Sequence, residues 1–229
     1  GREDAVVVLV SQPGGSGSFY DLAVVQRQEE DLTNLASIQL GDRIQIKSLL
    51  IENGEIVVDM VTQGPEDAMC CPTQLATRRW SLQGNRLVEG EMDITGVNGG
   101  VTIRDSSGDI YVEGVGGSVT LEGVDSRDVE VGTVGGSLRF QGTIQDGGMY
   151  TFGSHGGQIW LYLPDDMNAH LEAVTLAGRI EVDYPGAPSE RTRGHGIPGL
   201  REMELVFEAG TGSARIEVET FGGTLHILR

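Results

Sequence analysis

The sequence predicts an all-β chain: a small antiparallel β-sheet domain over residues 1–90, followed by a β-solenoid (β-helix-like) domain over residues 91–229. Three observations lead there. A short phrase returns four times, as Val97-Asn98-Gly99-Gly100-Val101-Thr102-Ile103, Val115-Gly116-Gly117-Ser118-Val119-Thr120-Leu121, Val134-Gly135-Gly136-Ser137-Leu138-Arg139-Phe140 and His155-Gly156-Gly157-Gln158-Ile159-Trp160-Leu161, its Gly pairs beginning at 99, 116, 135 and 156. Self-similarity at such a period marks stacked repeats, each a rung that cannot bury its apolar face alone. After every Gly pair the apolar residues fall on alternate positions, the period of a strand with one buried face. Glycine accounts for 35 of 229 residues, and no stretch sustains a helical period.

In chain order, Ala5–Val10 is an apolar run of strand length, and Gln12-Pro13-Gly14-Gly15-Ser16-Gly17-Ser18 is a turn leading into a second strand from Phe19 to Gln26. Arg43–Ile51 and Ile56–Val61 flank Asn53-Gly54, a strong hairpin signal because a type I′ turn needs two residues that tolerate positive φ. Leu75–Leu82 and Arg86–Glu89, joined by Gln83-Gly84-Asn85, complete an antiparallel sheet. The junction falls at Glu89–Asp93. Beyond it, weaker copies of the alternating phrase lie at Gly108–Val112 and Asp128–Val131. The pattern recurs at Leu176–Val182, Gly212–Val218 and Phe221–Ile227.

Residues 1–90 resemble the LppP/LprE-like group of bacterial lipoproteins and secreted proteins. The resemblance rests on Leu40-Gly41-Asp42-Arg43, the Ile51–Val61 hairpin and above all Gly64-Pro65-Glu66-Asp67-Ala68-Met69-Cys70-Cys71-Pro72-Thr73. It implies an envelope or secreted setting and carries no transferable activity. Relatives often open on an Asp-rich, calcium-loop-like turn. Here only Gly1-Arg2-Glu3-Asp4 remains of it, too few carboxylates for a calcium site.

From Ile94 to Arg229 the chain is similar to a bacterial adhesin-type family with a β-helix-like fold. The similarity rests on the Val-Gly-Gly-Ser phrases, Gly148–Gly157, Leu161-Tyr162-Leu163-Pro164-Asp165-Asp166, Gly210-Thr211-Gly212 and Thr220-Phe221-Gly222-Gly223. It implies a surface β-solenoid without a known catalytic site.

Chemistry-bearing residues are sparse. Cys70 and Cys71 are the only cysteines. They form a vicinal disulfide that stiffens a turn, stay reduced, or link subunits, and a structural staple is the preferred reading. No His or Cys-x-x-Cys spacing flanks them, so no metal or redox role is assigned. His155, His170, His195 and His226 show no metal-ligand spacing. Asp105, Asp109, Asp125 and Asp128 lie near strand ends, where Asp ordinarily accepts local backbone hydrogen bonds. No nucleophile elbow or phosphate loop is present. The expectation is a non-enzyme without a cofactor.

The net charge of −18 excludes nucleic acid and anionic membrane surfaces as partners. No apolar run approaches the roughly 20 residues that span a bilayer. The chain opens on Gly1 rather than Met, as a processed protein or a segment does, and an extracellular or cell-surface location without a signal or anchor in this chain is expected. A last rung needs a cap, and Thr224–Leu228 runs almost to the final residue. Leu225, Ile227 and Leu228 are therefore candidate subunit contacts for self-association into a homo-oligomer or filament, the alternative being a plain exposed end. The Pro/Gly-rich stretch 184–199 is either a recognition loop or an insertion between rungs. The expected function is a structural or adhesive surface protein. The alternative is an envelope ligand- or glycan-binding sensor with an aromatic groove at Tyr150, Phe152, Trp160 and Tyr162.

Overall fold

The computed structural model describes residues 4–28, 31–65, 67–96, 99–188, 191–193 and 202–229. The chain is all-β, with no helix among the described residues. It divides into two compact units, residues 1–93 and 94–229.

In the first unit, β1 (Asp4–Ser11), β2 (Phe19–Gln28) and β3 (Asp31–Asp42) form an antiparallel sheet in that order. β4 (Gln45–Glu52), β5 (Glu55–Thr62), β6 (Gln74–Gln83) and β7 (Arg86–Gly96) follow as successive neighbours. Between β4 and β5, Asn53 and Gly54 both take positive φ (52° and 87°), the two-residue turn the sequence predicts. Leu22, Val24, Val58, Met60 and Trp80 fill the core. Arg78 lies 4.9 Å from the Trp80 ring centroid and pairs with Glu89 at 2.6 Å. The strand β3 has no counterpart in the sequence reading. Its first four residues are exposed, so it lacks the one-sided burial that period-two patterning detects.

The second unit alternates between two sheets. One strand of each successive pair enters the first sheet and its partner the second: β8 (Val101–Arg104), β9 (Asp109–Gly114), β10 (Val119–Val124), β11 (Asp128–Thr133), β12 (Leu138–Gly142), β13 (Met149–Ser154), β14 (Ile159–Tyr162), β15 (Ala169–Thr175) and β16 (Arg179–Asp183). The chain then passes through β17 (Arg191–Arg193) and β18 (Glu202–Ala209) to β19 (Ala214–Thr220) and β20 (Thr224–Leu228). The first sheet runs β8-β10-β12-β14-β20-β16, all parallel where paired. The second runs β9-β11-β13-β19-β15, parallel, with β18 and β17 added antiparallel.

Apart from a bulge between Glu122 and Val124 in β10, the parallel strands pair in register, so like positions stack. Val119 lies between Val101 and Leu138, and Val131 between Val112 and Phe152. The inward residues of both sheets are buried, Tyr150, Phe152, Phe140, Ile159 and Leu161 completely. Phe140 and Phe152 pack at 5.0 Å between ring centroids.

The rungs are not stacked in chain order. β19 and β20 are inserted between β13 and β15 and between β14 and β16. This corrects the expectation for the trailing strand, which is an interior member of its sheet. Leu225 and Ile227 are fully buried in the chain's own core and Leu228 is half-buried, so the three do not form an exposed last rung.

Candidate functional site

Each passage from the second sheet to the first is a four-residue corner: Gly114-Val115-Gly116-Gly117, Thr133-Val134-Gly135-Gly136, Ser154-His155-Gly156-Gly157, Thr220-Phe221-Gly222-Gly223 and Thr175-Leu176-Ala177-Gly178. The hydroxyl at the first position caps its own corner. Thr133, Ser154, Thr220 and Thr175 accept from the N–H of Gly136 (3.3 Å), Gly157 (2.9 Å), Gly223 (3.2 Å) and Gly178 (2.9 Å). These buried hydroxyls are satisfied locally, as Ser/Thr turns allow. The last position must be glycine for a separate reason. A Cβ on Gly136, Gly157, Gly223 or Gly178 would sit 1.7–1.8 Å from the carbonyl oxygen of the equivalent glycine one rung below. Close backbone approach, more than turn geometry, dictates the repeat.

The second position is different. Val115 (49% exposed), Val134 (54%), Phe221 (44%) and Leu176 (37%) are large apolar side chains in solvent, and His155, also exposed, stacks on Phe221 with rings 5.0 Å apart and 9° from parallel. Core packing does not require them. Beside this column the outward residues of the second sheet stand in register as Glu113, Gly132, Gly153, Glu219 and Val174. Two successive glycines leave a depression, and column and depression together line a groove of about 690 Å³.

The corner backbone is already used. The N–H groups of Val134, Gly135, His155, Gly156, Phe221 and Gly222 donate along the stack to the carbonyls of Gly114, Val115, Thr133, Val134, Ser154 and His155 at 3.0–3.2 Å. What the groove presents is therefore apolar surface, one imidazole, and the carboxylates of Glu113 and Glu219. Among the described residues neither carboxylate has a basic partner.

The four aromatic residues expected to line a groove do not come together. Tyr150 and Phe152 face the core with no exposure, whereas Trp160 and Tyr162, on the first sheet, alternate outward between buried Ile159 and Leu161. Trp160 stacks on His226 at 5.3 Å, and Arg139 covers Tyr162 at 4.5 Å, so those ring faces are already engaged. Buried Tyr150 donates to the Ser126 carbonyl at 2.7 Å and accepts from Gln145 N–H at 2.8 Å. Burial raises its pKa above the ordinary 10.0.

The remaining candidates serve local structure. Asp125 accepts from Thr143 and Gln145, which hold its carboxyl below the ordinary 3.8. Asp105 takes positive φ at a strand end, and Asp109 and Asp128 open β9 and β11. His170 lies 3.4 Å from Glu208, and His226 3.1 Å from Glu181. His195 and half of the 184–199 stretch lie outside the described residues. Asp4 accepts from Gln26 at 2.7 Å. No group of three or more His, Cys, Asp or Glu among the described residues is placed to hold a metal ion.

Cys70 and Cys71 form an exposed vicinal pair with their sulfurs in contact. Their loop is tied by Asp67, which accepts from Gly64 N–H (2.8 Å), Thr73 N–H (2.8 Å) and Thr73 hydroxyl (2.7 Å). The Thr73 hydroxyl first, then the Gly64 N–H, holds this carboxyl below 3.8.

No protein-family model matches the chain, and no curated protein does. A solved structure described as a "putative cell adhesion protein", from Clostridium sporogenes, aligns over 99% of each chain at 12% identity with a TM-score of 0.41. The functional reading therefore rests on this chain's own geometry.

Proposed function

We propose that residues 94–229 form a β-solenoid that works as a non-enzymatic binding module at the bacterial cell surface or outside the cell, with the corner column as its contact surface. The observation that carries this reading is the column itself. Five stacked corners each place an apolar or aromatic side chain in solvent, two residues before a glycine that stacking demands. An exposed apolar patch extended along a molecule marks an interaction site, whereas isolated exposed apolar residues do not. A rigid ladder suits adhesion because its contacts repeat at a fixed spacing of about 4.8 Å and need no ordering on binding. The acidic charge supports the same reading, since it keeps copies of the chain apart while leaving the column free for a partner of other chemistry. The paired cysteines stiffen the Asp67 loop as a disulfide in an oxidising extracytoplasmic setting.

The test uses the fluorescently labelled full chain on intact bacterial cells and isolated envelopes, beside a variant carrying Val134→Ser and Phe221→Ser. Both side chains are solvent-exposed, so the fold is kept, which circular dichroism checks. Saturable binding that falls about tenfold or more in the variant is expected. Equal binding by the two proteins removes the column from the function.

A further inference from the structure

The groove beside the corner column has a chemistry that selects among ligands, and this inference rests on the column being the contact surface. We propose that it binds an extended, cationic peptide segment lying along the stack, across the strands, with two basic side chains four residues apart and an apolar one midway between them.

Three observations set those features. The corner N–H groups are spent on hydrogen bonds between rungs, so a ligand cannot add as another strand and must be held by side chains. The side chains on offer are apolar along one wall and acidic at two points of the floor, with no Lys or Arg among the described residues that line the groove. A neutral oligosaccharide, which needs several donors and acceptors or an open ring face, is poorly matched. His155 and Phe221 already stack on each other, and the Thr133, Ser154 and Thr220 hydroxyls are buried against the corner glycines. A second copy of this chain, at net −18, meets like charge.

Register then fixes the spacing. Glu113 and Glu219 occupy the same outward column, separated by Gly132 and Gly153, three rung steps in all. At about 4.8 Å per step this is roughly 14 Å, close to four residues of extended chain at about 3.4 Å each. An even separation puts both basic side chains on one face of the peptide. The residue midway then lies over the glycine depression, where a Cβ on Gly132 would meet nothing within 4 Å and one on Gly153 only a carbonyl oxygen at 3.9 Å. The apolar wall of Val134, His155 and Phe221 runs alongside.

The probe is a fluorescein-labelled synthetic decapeptide with lysines four residues apart, leucine midway and serine elsewhere, titrated with the full chain by fluorescence anisotropy at low salt. Saturable binding is expected. It should weaken about tenfold in the Glu113→Gln, Glu219→Gln double variant, as the loss of two exposed ion pairs allows. It should also weaken in a peptide with the lysines five residues apart, and further as salt is raised. Gly132→Leu with Gly153→Leu fills the depression, where neither Cβ meets an atom closer than 3.9 Å, and should abolish binding while leaving thermal stability unchanged or raised. Absence of probe binding, equal binding by a peptide with both lysines replaced by glutamate, or indifference to the carboxylate and filled-groove variants overturns the proposal. If envelope binding still depends on Val134 and Phe221 when the probe fails, the ligand class is wrong and the column reading stands. If neither dependence appears, both fall.

Discussion

Replacing Gly157 by alanine isolates the contact that holds the corners together. Its Cβ would lie 1.8 Å from Gly136 O, and the obstructing atom is backbone, so no side chain can swing away. Bringing that contact to the 3.0 Å that real Cβ atoms reach separates the two corners by about 1.2 Å. The inter-rung bonds beside it are His155 N–H to Thr133 O at 3.0 Å, Gly156 N–H to Val134 O at 3.1 Å and Leu138 N–H to Gln158 O at 2.8 Å. Each would stretch to about 4 Å, past hydrogen-bonding distance. At about 1 kcal/mol per bond, and somewhat more where the groups stay buried, the loss is roughly 3 kcal/mol. Gly156→Ala is the matched control. Its Cβ meets the nearest atom, Val134 O, at 3.8 Å, ordinary contact, and should cost under about 1 kcal/mol. Urea denaturation of the full chain gives the difference in midpoint, and hydrogen exchange at residues 134–138 and 155–158 localises it. Equal midpoints and equal protection for the two variants would refute the stacking argument.

The insertion of β20 predicts that Ile227→Ala costs about 2–5 kcal/mol in the same assay, because its side chain is fully buried between neighbouring rungs. A cost below about 1 kcal/mol would return this strand to an exposed end. Tyr150→Phe removes one donor and one acceptor from a fully buried site, and should cost about 1–3 kcal/mol while leaving the strand content seen by circular dichroism intact. Asp59, which accepts from the Ser48 hydroxyl at 2.6 Å and the Thr77 hydroxyl at 2.7 Å, is held below 3.8 as Asp67 and Asp125 are, so the stabilising contribution of all three is present above that pH and fades as pH falls through the lower folded values. Carboxyl NMR titration should place all three below 3.8, and values at or above it would contradict the hydrogen bonds assigned to them.

Much of the all-β architecture was legible because its physics is local. The Asn53-Gly54 turn follows from the conformational freedom of two residues, and the alternation in Val119-Thr120-Leu121 or Ile216-Glu217-Val218 follows from strand geometry. β15 was not legible, because its buried side chains include Ala169 and Ala173, too small to announce an apolar face. The candidate site was half visible. The residue before each Gly-Gly pair is apolar in most copies, but alternation says nothing about a corner residue, so its exposure had no sequence signal.

By itself the sequence determined that this chain makes short strands joined at glycine corners, because backbone freedom and side-chain period are properties of a few adjacent residues. Only the tertiary structure decided the order in which the rungs stack. Placing β19 and β20 inside the stack depends on pairing between strands dozens of residues apart, and no local pattern encodes it. That order carries Phe221 beside His155 and Glu219 beside Gly153, and so it makes the groove.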